Sequence, residues 1–274
     1  MLKFFHKILG GKYEKGFKGL GSSCLDMCMG GAALLSVSCA NNSNSSNNGG
    51  SGGSEAPIGP IGSKSAPDAV GDIVFSDGTA EAYSAGLNLT QAQKNAAVAV
   101  IFYTAPTSSS DLGIKKLGVG LKKGTGLMWA PNPSTGYNTK FDTVDVNGSG
   151  NWSKILTADP TGAANSATNY PAFNFCNTYG VALVGSSTGW YLPAKNDLLA
   201  LNEVKTTVDN AIGKIGESGN NVAKLGDNWH WSSSQDSANN YYAVYVNFLN
   251  GMANSTSKSN SSSVVRAICK FNER

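Results

Sequence analysis

Residues 242–251 read Tyr242-Ala243-Val244-Tyr245-Val246-Asn247-Phe248-Leu249-Asn250-Gly251. In an extended chain this alternation puts Val244, Val246 and Phe248 on one face and Tyr245 and Asn247 on the other. Asn250-Gly251 is a strong hairpin signal, because both residue types accept the positive φ that such turns need. The segment is therefore read as a strand entering a hairpin. Just before it, Trp231-Ser232-Ser233-Ser234-Gln235 reads as a neighbouring strand. A second polar strand or loop covers roughly 252–262, and Val264-Val265-Arg266-Ala267-Ile268 returns as a core strand. The expected unit is a set of antiparallel strands with an apolar inner face and an outer face of Asn, Ser and Tyr.

Working upstream, Gly189-Trp190-Tyr191-Leu192-Pro193 reads as a short strand ending at its proline. A helix follows from about Lys195 into Val204 and continues irregularly toward Ile215. Residues 159–180 suit a helix after Asp159-Pro160, broken at Pro171. Further strands are expected at Gly71–Phe75, Ala96–Tyr103, Leu117–Leu121 and Leu127–Ala130. The stretch Gly118–Gly124, GVGLKKG, lacks the spacing of a dinucleotide loop and is read as strand and turn. The fold class expected is α+β: antiparallel strands, two or so helices, and many loops.

Charged residues make up only 14% of the 274-residue chain, which carries 33 glycines and long Asn/Ser stretches. That balance suits a loop-rich exported protein better than a charged helical one. The formal charge of +3 comes from the first 39 residues, where Lys3, Lys7, Lys12, Lys15 and Lys18 outweigh Glu14 and Asp26. Taking 5 from 21 basic and 2 from 18 acidic residues leaves 16 of each. A neutral remainder has no electrostatic footprint for nucleic acid, and none is expected as a partner.

Met29–Ser38, MGGAALLSVS, is a short stretch of apolar and small residues followed at once by Cys39. It is too short to span a bilayer and has the dimensions of a signal-peptide core. Leu35-Ser36-Val37-Ser38-Cys39 resembles a lipoprotein processing box, so residues 1–39 are read as a leader and Cys39 as the lipid-bearing residue. Residues 40–57 hold the Asn/Ser/Gly run of a flexible tether, and 58–274 the ligand-binding domain. The expected location is the bacterial cell envelope, lipid-anchored, at the outer membrane and exposed. With the leader removed, Cys176 and Cys269 remain; they either pair or stay as buried free thiols.

The segments GWYLPAKNDLLAL, WSSSQ, V-x-V-x-F-x-N-G and VVRAI, in that order, resemble the C-type-lectin-like fold of the formylglycine-generating-enzyme type. More narrowly, they are similar to the variable proteins of diversity-generating retroelements. The resemblance covers residues 71–271 loosely and 189–271 tightly. It implies a variable region of about 229–271, in which template codons AAC or AAT mutate at adenine to Asn, Ser, Tyr, Asp, Ala, Thr, His or Leu. Trp, Gln, Lys and Met are out of reach. Trp231, Gln235, Met252 and Lys258 thus read as fixed positions between diversified ones. The positions expected to vary and to bind ligand are Asp236, Ser237, Asn239, Asn240, Tyr241, Tyr242, Tyr245, Asn247, Leu249, Asn254, Ser255, Ser257, Ser259, Asn260 and Ser261, with His230 a weaker candidate. Tyr241, Tyr242 and Tyr245 are the natural anchors, because a rigid ring covers area at small entropic cost. The scaffold side is expected to hold Trp190, Leu192, Trp231, Val246, Phe248, Val265 and Ile268.

The implied partner is a macromolecule, expected to be a protein on another cell or host surface. Enzyme chemistry lacks parts: His230 is the one histidine after the leader, and no G-x-S-x-G elbow occurs. No cofactor is implied. A calcium-dependent sugar lectin is the nearer alternative, although Ala130-Pro131-Asn132 and Asp227-Asn228-Trp229 only faintly echo its ligand loops, and too few carboxylates cluster to hold a metal. A passive structural surface lipoprotein is the third.

Overall fold

The computed structural model describes residues 59–105, 112, 115–182, 184–186 and 189–272. The leader, Cys39 and the tether lie outside the described residues. Two antiparallel sheets organise the rest. The first comprises β1 (Ile73–Phe75), β2 (Ala80–Glu81), β3 (Ala97–Thr104), β4 (Lys116–Gly120) and β8 (Ile268–Phe271), in the order β2-β1-β3-β4-β8. The second comprises β5 (Trp229–Gln235), β6 (Tyr242–Asn247) and β7 (Met252–Ser257), in sequence order. Short helices fill the connections: α1 (Gln91–Ala96), α2 (Thr135–Asn138), α3 (Gly148–Ala158), α4 (Pro160–Ala164), α5 (Ser166–Asn169), α6 (Pro171–Asn177), α7 (Lys195–Glu203) and α8 (Lys205–Ile215). The α+β class expected from the sequence, antiparallel and loop-rich, is the one observed, with more short helices than two.

Strand β3 shows why the first sheet is covered on both sides. Its apolar run alternates between two cores: Ala99 and Ile101 join Trp129, Tyr170, Phe173, Cys176, Trp190 and Trp231, whereas Val100 and Phe102 join Leu117, Leu198, Leu201, Ile212 and Phe248. Helices α3 and α6 close the first core and α7 and α8 the second. A continuous apolar run is what a strand buried on both faces requires. In β4, Gly118 and Gly120 admit the close approach of Phe271 and Tyr179; a Cβ would meet their ring atoms at 2.6 Å and 2.5–2.6 Å. The GVG stretch is therefore strand packing, as its spacing suggested.

Three expectations need correction. Leu127–Ala130 forms no strand; it is an irregular buried segment whose Trp129 is fully enclosed and donates from Nε1 to the Ser232 carbonyl at 3.0 Å. Val264–Ile268 is not one strand. Val264 exchanges backbone bonds with Trp229 and Trp231 in the second sheet, Val265 exchanges them with Gly124, and β8 begins only at Ile268. The chain crosses from one sheet to the other at these two residues. Gly189–Pro193 is not a strand either: Tyr191 alone makes an isolated bridge, to Ile268. Helix α3 falls between the segments assigned from sequence; Asn147 Oδ1 caps it by accepting from the Gly150 N–H at 2.9 Å.

Cys176 and Cys269 are separate buried thiols, each donating weakly to a carbonyl, of Arg266 and Gly118 respectively. Burial pushes both well above the ordinary thiol range, so they pack as small apolar groups.

Candidate binding surface

The three-stranded sheet carries the surface. Register sets Trp229, Tyr245, Asn247, Met252 and Asn254 on one face: Trp229 opposes Asn247, Asn247 opposes Met252, and Tyr245 opposes Asn254. The Trp229 and Tyr245 rings stack at 4.8 Å with 18° between their planes. Met252, on the same face, is 58% exposed; Tyr241 (48%), Tyr242 (40%) and Leu249 (70%) are exposed at the ends of β6, Tyr242 on the opposite face by register. Tyr241 leans on Tyr137 from α2, with ring centroids 5.4 Å apart.

Of the positions expected to face outward, Ser237, Asn240, Tyr241, Tyr242, Leu249, Asn254 and Ser261 are exposed, and Asp236, Asn239, Tyr245, Asn247, Ser255, Ser257, Ser259 and Asn260 are partly so. His230 is not. It is fully buried, stacked 3.9 Å from Phe248, with Nδ1 at 3.1 Å from the Asn228 carbonyl. Burial first, and the charge of Arg266 second, push its pKa far down, so the ring is neutral. His230 therefore belongs to the scaffold, opposite Val246 on the inner face.

Tyr245 also needs revision. It is half-buried and packs on the first core, on the same face as fully buried Ala243. The two faces of β6 are each buried at opposite ends: Ala243 toward one core, Val246 and Phe248 toward the other.

Several expected display positions also do local backbone work. Asp236 accepts from the Ala238 and Asn239 N–H groups and from the Ser255 hydroxyl at 2.5 Å, which holds its carboxyl below the usual range. Asn239, Asn247 and Asn260 accept from the N–H two residues on. These are Asx turns, which fix the loops that carry the tyrosines.

Beneath the surface the polarity is reversed. Lys258 is fully buried; its Nζ donates to the Gly136 and Thr139 carbonyls at 2.8 Å and lies 4.7 Å over Trp129 and 5.3 Å over Phe141. Burial pushes its pKa down to about 7. Gln235 donates to the Thr139 and Asn240 carbonyls at 3.1 Å and accepts from the Phe141 N–H at 2.8 Å. Arg266, also buried, donates to the carbonyls of Leu121, Lys122, Ala223 and Lys224 at 2.5–3.5 Å. Burial lowers its pKa to about 10, and it stays charged at neutral pH. Trp231, likewise buried, donates to the Leu127 carbonyl at 3.1 Å. All four were read as fixed or core positions.

Reasoning from sequence missed Trp229 and Met252 as exposed groups, and Tyr137 as a neighbour from a remote segment. Trp229 stands two residues before buried Trp231 and would have been assigned the same burial. Among the described residues no three His, Cys, Asp or Glu side chains gather as metal ligands, and Asp227 is engaged by Lys205.

No curated protein matches the chain. Among solved structures, a fimbrial protein from Bacteroides ovatus is similar over 75% of this chain and 49% of its own, with 14% identity and a TM-score of 0.48. The chain thus spans about half the length of that protein. The model of the Lcl C-terminal domain family matches residues 120–268, more than half of the chain and all of the second sheet. This chain belongs to the Lcl C-terminal domain family, a family of the variable-protein kind that the order of its C-terminal motifs suggested.

Proposed function

We propose that this protein is a lipid-anchored surface protein that binds a macromolecular ligand, a protein on another cell or host surface, through the β5–β6–β7 face. We propose further that adenine-directed retroelement copying, as in the Treponema variable protein that its motifs resemble, diversifies the face. In this reading the protein is a binder and not an enzyme, and Cys39 carries the lipid that holds it at the outer membrane.

The inverted polarity of the second sheet carries the reading. Tyr241, Tyr242, Leu249, Met252 and Trp229 stand in solvent, while Gln235 at the end of β5 and Lys258 just after β7 are buried. Leaving these rings in solvent forgoes the hydrophobic gain of burying them, which a passive surface has no reason to do. Exposed rings among adaptable Asn and Ser are the composition of known protein-binding faces. Buried Trp231, Gln235 and Lys258 are also residue types that adenine errors cannot produce.

Sequencing the locus and its neighbouring DNA in several isolates tests the proposal. Differences are expected at Asn239, Asn240, Tyr245, Asn247, Asn254 and Asn260, against a near-repeat template carrying AAC or AAT there. None is expected at His230, Trp231, Gln235, Val246, Phe248, Gly251, Lys258 or Arg266. Differences spread evenly over 71–271, or as frequent at Phe248 as at Asn247, would overturn it.

A further inference from the structure

The second sheet has one covered edge and one open edge. On the outer side of β5, Trp231 donates to Val264, Val264 donates to Trp229, and Ser233 donates to Pro193. On the other side β7 is terminal. Its ladder to β6 is regular: Tyr242 to Asn247 pair with Ser257 to Met252 without a bulge, unlike the β5–β6, β1–β3 and β3–β4 pairings. The bond from Lys258 N–H to the Tyr241 carbonyl at 2.8 Å marks the hydrogen-bonded pairs as 241/258, 243/256 and 245/254. Thr256 and Asn254 therefore turn their backbone groups toward β6. Ala253 and Ser255 turn theirs outward, where among the described residues these N–H and C=O groups have no protein partner.

Natural edge strands are normally blunted by lysine, proline, a bulge or short length. This one, Met252-Ala253-Asn254-Ser255-Thr256-Ser257, has six residues, no charge, no proline and no bulge. We infer that the outer edge of β7 is a docking strand for an extended segment of the protein ligand, with an apolar residue of that segment set opposite exposed Met252.

Donors and acceptors repeating every second residue are complementary to another extended polypeptide. A second copy of this chain fits less well. Antiparallel self-pairing through Ala253 and Ser255 would set Met252 opposite Asn254, Thr256 or Lys258, all polar, whereas a foreign strand can cover Met252 with an apolar side chain. The edge also adjoins exposed Leu249 and Met252, so one ligand can use both. Backbone pairing gives affinity that does not depend on which side chains the face displays. That division of labour suits a face whose side chains change.

The inference rests on the reading of this surface as a protein-binding one, and the two can fail separately. The test pans phage-displayed linear peptides, long enough to cover β7, against the full chain and follows the enriched peptides by fluorescence anisotropy. Ala253→Pro removes an outward N–H while sparing the inner ladder, since proline is tolerated on an open edge. Binding should weaken roughly tenfold with Ala253→Pro, as expected for a lost backbone bond plus an obstructing ring. Should that variant fold poorly by thermal melting, peptides N-methylated at alternate residues give the same information with the unaltered protein: one alternation should abolish binding and the other should not. Peptides that bind unaltered protein and Ala253→Pro alike but are lost with Tyr241→Ala would overturn the edge inference and leave the face reading intact. Loss with Ala253→Pro but not with Tyr241→Ala would keep the edge and remove the face. Failure to enrich any peptide that Ala253→Pro rejects would overturn the edge, as would a dimer that Ala253→Pro dissolves.

Discussion

Replacing Lys258 by Met keeps a long unbranched side chain and removes a charge that sits fully buried between Trp129, Phe141 and the carbonyls of Gly136 and Thr139. The ordinary amine pKa of 10.5 applies in the unfolded chain, and burial lowers it to about 7 in the folded one. Between those values the unfolded chain binds the extra proton. Stability therefore rises with pH, by about 1.4 kcal/mol per unit. The penalty of holding the ammonium is complete below pH 7, falls as pH rises from 7 to 10.5, and is gone above. From pH 7.5 to 9.5 the unaltered protein should gain about 2.5 kcal/mol relative to Lys258→Met, and the variant should lose the slope. Because the two rings and two carbonyls also attract the ammonium, that figure is a ceiling. Urea unfolding of both proteins across this range gives the difference directly. A stability difference that stays flat, or that falls with pH, would refute the assignment of a depressed lysine to this site.

Three further outcomes are expected. Phe248→Ala should cost roughly 3–5 kcal/mol by opening a cavity in the second core, Tyr241→Ala should stay within about 0.5, and half-buried Tyr245→Ala should fall between, all read by denaturant unfolding. Arg266→Met should cost about 3–5 kcal/mol, because up to four backbone carbonyls of 121–122 and 223–224 lose their donor, and thermal melting measures it. Cys39→Ala should abolish labelling of cells with a fatty-acid analogue; undiminished labelling would remove the anchor from the proposed function.

The period-two pattern of 242–248 and the continuous run of 96–103 were legible because each strand's apolar spacing reports its burial. What alternation cannot report is a bulge. Between Trp231 and Gln235 the β5–β6 register shifts by two residues, so Trp231 opposes Tyr245 while Gln235 opposes Ala243. Parity counted from Tyr245 therefore assigns no face to the three serines between them, all of which are buried. His230 was misjudged because its residue type is reachable by adenine errors, yet its place opposite Val246 buries it. Codon chemistry constrains which residues can occur and says nothing of which way they point. Lys258 was read as fixed from codons alone. Its burial depends on Trp129 and on α2, more than a hundred residues upstream, and no local pattern announces such a partner.

The way the buried polar groups are satisfied bears on how much variation the face can absorb. Gln235 donates to the carbonyl of Asn240, Lys258 N–H donates to the carbonyl of Tyr241, and the Lys258 amine donates to the carbonyls of Gly136 and Thr139. Each of these bonds ends on backbone, which every residue type supplies, so exchanging the side chains of Asn240 or Tyr241 leaves the frame's hydrogen bonds in place. Asp236, Asn239, Asn247 and Asn260 differ, since their own side chains cap the following turn. Only Asp, Asn, Ser and Thr can do that work. All four are within reach of AAC or AAT by adenine changes, so the constraint narrows these positions without freezing them. On the proposed reading, a fixed frame that holds the display positions by their backbone, with turn positions confined to four small polar types, would let the display change while each version of it folds.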